Sequence, residues 1–230
     1  MEVILIATLL VVINYGFILL SFKFFGKVGL FICIPIILIL ANIQVLITIQ
    51  YIGMTLTLGN IAFVSSYLIT DLIGELYSKE AAKKAVFIGF MTIIMVVIIM
   101  NLILLFTPDD FGAESFASIA NIFKLLPRVL LASLLAFFVS QYADVIIFAK
   151  FKEKSKGKKL WLRNNISTIS SQVLDGIIFT FAAFYGVFPL EIVLEIFITT
   201  YIIKTIIAIC DTPFMYLGVW MYKNNHISEI

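Results

Sequence analysis

Apolar positions dominate the chain, and they are gathered into runs separated by short polar breaks. A helix rises about 1.5 Å per residue, so some 20 apolar residues are needed to cross the hydrocarbon of a bilayer. Runs of that length lie near 3–22, 29–50, 58–78, 83–106, 128–149, 165–187 and 190–221. The third, 58–78, is the most polar, with Asn60, Ser65, Ser66, Tyr67, Thr70, Asp71 and Glu75. It is expected to be either a buried span or a partly re-entrant one, because irregular backbone at membrane depth survives only where protein or a cavity covers it. Residues 116–126 are apolar but end at Pro127, which suits a helix start, so they are expected to form a short interfacial helix leading into the fifth run. The seventh run is longer than a straight span needs and contains Asp211-Thr212-Pro213, where a kink or break is expected.

The polar breaks carry a topological signal. Lys23 and Lys27 separate runs one and two, and no charge separates two and three. Lys79, Lys83 and Lys84 follow run three, whereas Asp109, Asp110 and Glu114 follow run four. Run five is followed by Lys150, Lys152, Lys154, Lys156, Lys158, Lys159 and Arg163, Glu191 precedes run seven, and Lys223 follows it. Basic breaks alternate with neutral or acidic ones, as the positive-inside rule requires of seven spans with the N-terminus outside and the C-terminus in the cytoplasm. The lysines from 150 to 159 are read as a topology-setting loop.

Composition agrees. Charged residues make up 13% of the sequence and apolar ones 62%, whereas a soluble domain carries about 25% charged residues. The expected fold is an all-α integral membrane protein, a bundle of six to seven transmembrane helices forming one domain over 1–230. A net charge of +2 gives no reason to expect a nucleic-acid partner. Cys33 and Cys210 both lie in apolar runs, and His226, the single histidine, lies in the polar tail. No disulfide framework, metal centre, cofactor or histidine-based catalysis is therefore expected. The first run lacks a basic flank and a small-residue cleavage site, and reads as a retained span.

The candidate chemistry is acidic. A charge at bilayer depth costs roughly 2.5–3.5 kcal/mol on insertion scales, so such residues face a protein interior or a wet cavity and mark functional sites. Asp71 and Glu75 share one helical face at i and i+4. Two ionised carboxylates there would repel, so a shared proton, a basic neighbour or a donor-rich ligand is expected. Runs five and six each carry a Ser-Gln-x-x-Asp motif, Ser140-Gln141…Asp144 and Ser171-Gln172…Asp175, which sets an amide and a carboxylate on one face. By helix rise Asp144 lies roughly 9 Å inside Lys150, Asp175 roughly 18 Å from Arg163 and Asp71 about 12 Å inside Lys79. Asp211 falls on the same side, Asn42 and Gln44 add amides, Lys204 could neutralise an Asp, and Arg128 could reach the outer interface. Carboxylates accept two hydrogen bonds side by side, and amides both donate and accept. The set suits a flat ligand with adjacent N–H donors, such as the N1–H and 2-amino edge of a guanine-like base. Tyr67, Phe137, Tyr142, Phe148, Phe179 and Tyr185 are candidates to stack on its ring.

The run Ser66-Tyr67-Leu68-Ile69-Thr70-Asp71…Glu75-Leu76-Tyr77…Lys79, with Ala82, Lys83 and Lys84, resembles the queuosine precursor transporter family, also called the vitamin uptake transporter family. The resemblance continues through Arg128, Ser133, Gln141, Asp144, Phe148, Trp161, Ser167, Thr168, Gln172, Asp175, Phe179 and Lys204 to Asp211-Thr212-Pro213 and Tyr216, and covers roughly 30–222. It departs from the family at Val64, where a proline is usual, and at Ser78, where a glycine is usual, so a less rigid start to run three and a less sharp turn after it are expected. The resemblance implies a bacterial inner-membrane importer of a 7-deazapurine base (7-cyano-7-deazaguanine, 7-aminomethyl-7-deazaguanine or queuine) for tRNA modification. It also implies an architecture related to the substrate-binding subunits of ATP-driven vitamin importers. Asn42, Tyr67, Asp71, Glu75, Gln141, Asp144, Gln172, Asp175, Lys204 and Asp211 are the expected binding residues. Two alternatives remain: a binding subunit docked on an ATPase module, and an intramembrane aspartyl enzyme using Asp144 and Asp175. The chain has no Gly-rich phosphate loop of its own, so any ATP hydrolysis is expected in a partner ATPase module; coupling to a proton or sodium ion through a carboxylate is the other expectation.

Overall fold

The computed structural model describes residues 2–51, 54–123 and 127–228. In chain order the elements are α1 (Glu2–Gln44), β1 (Thr48–Tyr51), β2 (Met54–Thr57), α2 (Gly59–Leu76), α3 (Lys79–Ile103), α4 (Ala113–Phe123), α5 (Pro127–Lys154), α6 (Leu160–Phe184) and α7 (Leu190–Lys223). Among the described residues five helices (α1, α3, α5, α6 and α7) are long and apolar enough to cross a membrane. The protein is an all-α membrane bundle.

The first two apolar runs lie within α1. Gly26 divides it, with φ 55° and ψ −135°, a conformation that an L side chain strains to adopt. The chain reverses there: Ser21 Oγ donates to the Gly29 carbonyl at 3.2 Å. Leu10 of the first half packs on a cluster containing Ile61 of α2, and Gly59 of α2 abuts Ala41 and Val45 at the end of the second half. Both ends of α1 thus meet the start of α2. Run two was expected to continue as helix to residue 50, but α1 stops at Gln44 and an antiparallel hairpin follows, with Thr48 opposite Thr57 and Tyr51 opposite Met54. Alternating Thr, Ile and Leu favour strand over helix, and pairing lets the hairpin satisfy its own backbone groups.

α2 is the hub. Residues from Gly59 to Ile73 are buried on nearly every side, because α1, α3, α5 and α7 all pack on it. Being enclosed by protein, it can carry polar side chains that would be costly against lipid. Val64 is fully buried against Ile207 and Ala208. At the far end Ser78 caps α3 by accepting from the Ala81 N–H at 3.1 Å, so the turn between α2 and α3 is short even without glycine. Ser78→Ala should lower stability by about 1 kcal/mol, read as a downward shift in thermal unfolding in detergent.

The outer faces of α1 and α3 present Leu5, Phe17, Phe87, Met95 and Ile98 to the surroundings, an apolar area that lipid would cover. The basic ends converge. Lys27 Nζ lies 5.2 Å over the Tyr77 ring, Tyr77 packs edge-on against Tyr222, and the Ser228 N–H donates to the Lys23 carbonyl. Lys152 from α5 donates to the Gly74 and Glu75 carbonyls that end α2. α7 continues as helix through Pro213, so of the expected kink or break there is no break; Asn164 and Asn165 of α6 donate to Asp211 and Thr212, the two residues just before the proline. α4 is exposed apart from Ala120; the end of the expected interfacial helix, at 124–126, and the Arg128 side chain lie outside the described residues.

Candidate functional site

The two Ser-Gln-x-x-Asp motifs lie on antiparallel neighbours, α5 and α6, and they interlock crosswise. Ser171 Oγ donates to Asp144 Oδ1 at 3.2 Å, and Ser140 Oγ is 3.5 Å from Asp175 Oδ1. The serine of each motif serves the aspartate of the other, as identical spacing on opposed helices allows. Their glutamines differ. Gln141 Nε2 donates to Ser66 Oγ at 2.5 Å and its Oε1 accepts from Thr70 at 3.2 Å, both on α2. Gln172 is fully buried, and neither its amide nitrogen nor its oxygen has a partner among the described residues.

α6 is the rail of the site, meeting an acid from another helix at nearly every turn. Starting from the basic end, Arg163 Nη2 reaches Glu75 Oε1 at 2.5 Å and Asn164 donates to Asp211 Oδ1 at 2.6 Å. Thr168 Oγ1 is 3.5 Å from Asp71 Oδ2, and Ser171 follows with Asp144. Asp175 ends the series with Lys204, at 2.5 Å. Asp71 and Asp144 approach the same turn of α6 from two helices, one at Thr168 and the other at Ser171, close enough for each carboxyl to feel the other's charge. Each of Asp71, Asp144 and Asp211 keeps one buried oxygen without a partner among the described residues. Tyr67, also fully buried, donates to Ser140 at 3.0 Å.

Several expected members take other positions. Asp71 and Glu75 share a helix face but not a partner: Glu75 is neutralised by Arg163 and by Lys152 at 3.4 Å. Asp175 is held by Lys204, so the close carboxylate pair is Asp71 with Asp144, not Asp144 with Asp175. Asn42 is not in the cluster. Its amide donates to the Leu38 carbonyl at 2.8 Å, and it borders an apolar hollow with Ile39, Ile93, Val97 and Phe123. Of the candidate aromatics, Tyr67, Phe137 and Phe148 are buried, whereas Tyr142 is exposed beneath Lys83, Phe179 pairs with Phe184 and Tyr185 lies at an exposed helix end. Arg163, Asn164, Thr168 and Ser66 were not singled out as site members by sequence. Thr168 had a signal, being a polar residue inside run six one turn from Gln172; Ser66 is polar inside run three, and Arg163 and Asn164 lie in the basic break before run six, where nothing set them apart.

These features define a multi-pass helical membrane protein built around a buried polar layer. Residues 57–218 match the family described as "Putative vitamin uptake transporter". The chain is 39% identical over 219 residues to the "Probable queuosine precursor transporter" of Bacillus subtilis (strain 168), covering 95% of each. It is 25% identical to the "Queuosine precursor transporter" of Escherichia coli (strain K12) over 74% of this chain and 75% of that one. The "Probable queuosine precursor transporter" of Haemophilus influenzae is 27% identical over 56% of this chain and 52% of its own. No solved structure matches. The chain belongs to the vitamin uptake transporter family, that of the queuosine precursor transporters, and is a membrane transporter.

Proposed function

We propose that this protein imports a queuosine precursor, a 7-deazaguanine base, across the inner or plasma membrane, and that the base binds in the layer between Asp71, Asp144 and Gln172. The basic end of the bundle is then the cytoplasmic end, with the N-terminus outside. The relatives' names support the substrate class. The observation that carries the reading is the buried amide of Gln172, open at both ends one turn from Thr168 and its Asp71 contact. A buried amide without partners costs about 1–3 kcal/mol for each group left unpaired, so something else must justify it. Two neighbouring acceptor-only carboxylates likewise need a donor between them, either a proton or the N–H of a ligand. A guanine-like edge fits both needs: N1–H and the 2-amino group donate to a carboxylate, and the ring carbonyl accepts from Gln172. Tyr67 donates to Ser140, and Phe137 lies one turn before that serine on α5, so both buried rings border the layer. 7-cyano-7-deazaguanine, 7-aminomethyl-7-deazaguanine and queuine share that edge and differ elsewhere.

Uptake of labelled base by cells unable to make it tests this. Losing charge-assisted hydrogen bonds of about 1.5–3 kcal/mol should reduce uptake by Asp71→Asn and Asp144→Asn proteins roughly 10- to 100-fold. Wild-type uptake by both would remove these residues from the site.

A further inference from the structure

The polar layer is closed at both ends by constructions of the same kind. On the basic side, Glu75 of α2 is gripped by Arg163 of α6, and the guanidinium lies 5.6 Å over the Phe148 ring of α5. Arg163 also donates to the Lys158 carbonyl at 2.8 Å, which ties the α5–α6 loop to the same group. On the other side, Asp175 of α6 is gripped by Lys204 of α7, whose ammonium lies 4.3 Å over the Phe63 ring of α2. Phe63 packs edge-on against Tyr67 and Phe137. Each closure is therefore an ion pair laid on an aromatic ring and joining two helices. The unpartnered atoms of Asp71, Asp144, Asp211 and Gln172 belong to residues that lie, along α6 and its neighbours, between the two closures.

Resting on the transport reading above, we propose that these are the two gates of an alternating-access path: Glu75–Arg163–Lys152 on the cytoplasmic side and Asp175–Lys204 on the outer side, both shut in this structure. An ion pair suits such a gate. In a buried layer its attraction is strong, while on opening, both charges regain the hydration that burial removed, so the net cost of separation stays modest. The inner gate is already graded toward solvent, with Lys152 a third exposed, Glu75 at 14% and Arg163 at 2%. One gate must hold while the other opens.

Thiol labelling tests this without any substrate, so a wrong identification of the base would leave the result standing. Cys33 and Cys210 are replaced by serine, and Ser167→Cys, fully buried one turn from Arg163 on α6, serves as reporter in right-side-out and inside-out vesicles. A membrane-impermeant maleimide should label it slowly from either side. Glu75→Gln/Arg163→Gln should speed labelling from the basic side alone, by about tenfold for each 1.4 kcal/mol of closure lost. Asp175→Asn/Lys204→Gln should do so from the opposite side alone. Neutralising both members leaves no stranded charge, and gel filtration of each variant checks that it is folded. Should either pair fail that check, Glu75→Asp and Asp175→Glu decide: each keeps both charges of its pair but misplaces the carboxylate, and each should speed labelling from its own side alone. Labelling that rises equally on both sides, or not at all, would overturn the assignment.

Discussion

Lys204→Met is expected to lower stability by about 3–5 kcal/mol, the range seen when one partner of a buried ion pair is removed. The Lys204 and Asp175 side chains are only 8% and 3% exposed. Without the ammonium, Asp175 keeps the distant Ser140 hydroxyl and no cation. The cost comes from the stranded carboxylate and not from the lost bond itself, so Lys204→Met/Asp175→Asn should recover most of it. Thermal unfolding in detergent checks both. Equal loss in the single and double variants would mean that Lys204 acts by packing on Phe63 alone. Arg163→Met should cost less than Lys204→Met, since Glu75 retains Lys152 and some solvent.

Gln172→Leu should move stability and transport in opposite directions. Removing a fully buried amide that bonds to nothing relieves about 1–3 kcal/mol of desolvation, and leucine is close in volume, so unfolding of the ligand-free protein should shift upward. The base would then meet an apolar wall. Two lost contacts, with the groups they served left unpaired, amount to about 3 kcal/mol, or roughly a 100-fold fall in uptake. Gln141→Leu is the control: Gln141 bonds to Ser66 and Thr70, so the same change there should destabilise the fold. If both leucine variants behave alike, Gln172 is structural.

The contrast between these glutamines marks the limit of a linear reading. The Ser-Gln-x-x-Asp motifs are indistinguishable in sequence, and their crosswise pairing follows from antiparallel neighbours. Which glutamine finds hydroxyls depends on where α2 packs, and spacing along α5 or α6 does not contain that. Asp71 and Glu75 show the same limit. Their i and i+4 spacing assigns a common face, yet one turn of rise separates a buried layer beside Asp144 from an end that Arg163 and Lys152 can reach. Asn42 is polar inside an apolar run like the others, but its amide turns back to its own helix.

By itself the sequence determined that this is an all-α membrane bundle, and it set the carboxylates inside the helical runs. Hydrocarbon thickness and the cost of burying charge act on one helix at a time, so their traces can be read along a single strand of letters. Only the tertiary structure decided the reversal at Gly26, the hairpin before α2, the partner of every acid and the amide left open at Gln172. Those depend on which helices touch, and hydrogen bonds and ion pairs act over a few ångströms between residues far apart in the chain, as Thr168 is from Asp71 and Ser228 from Lys23.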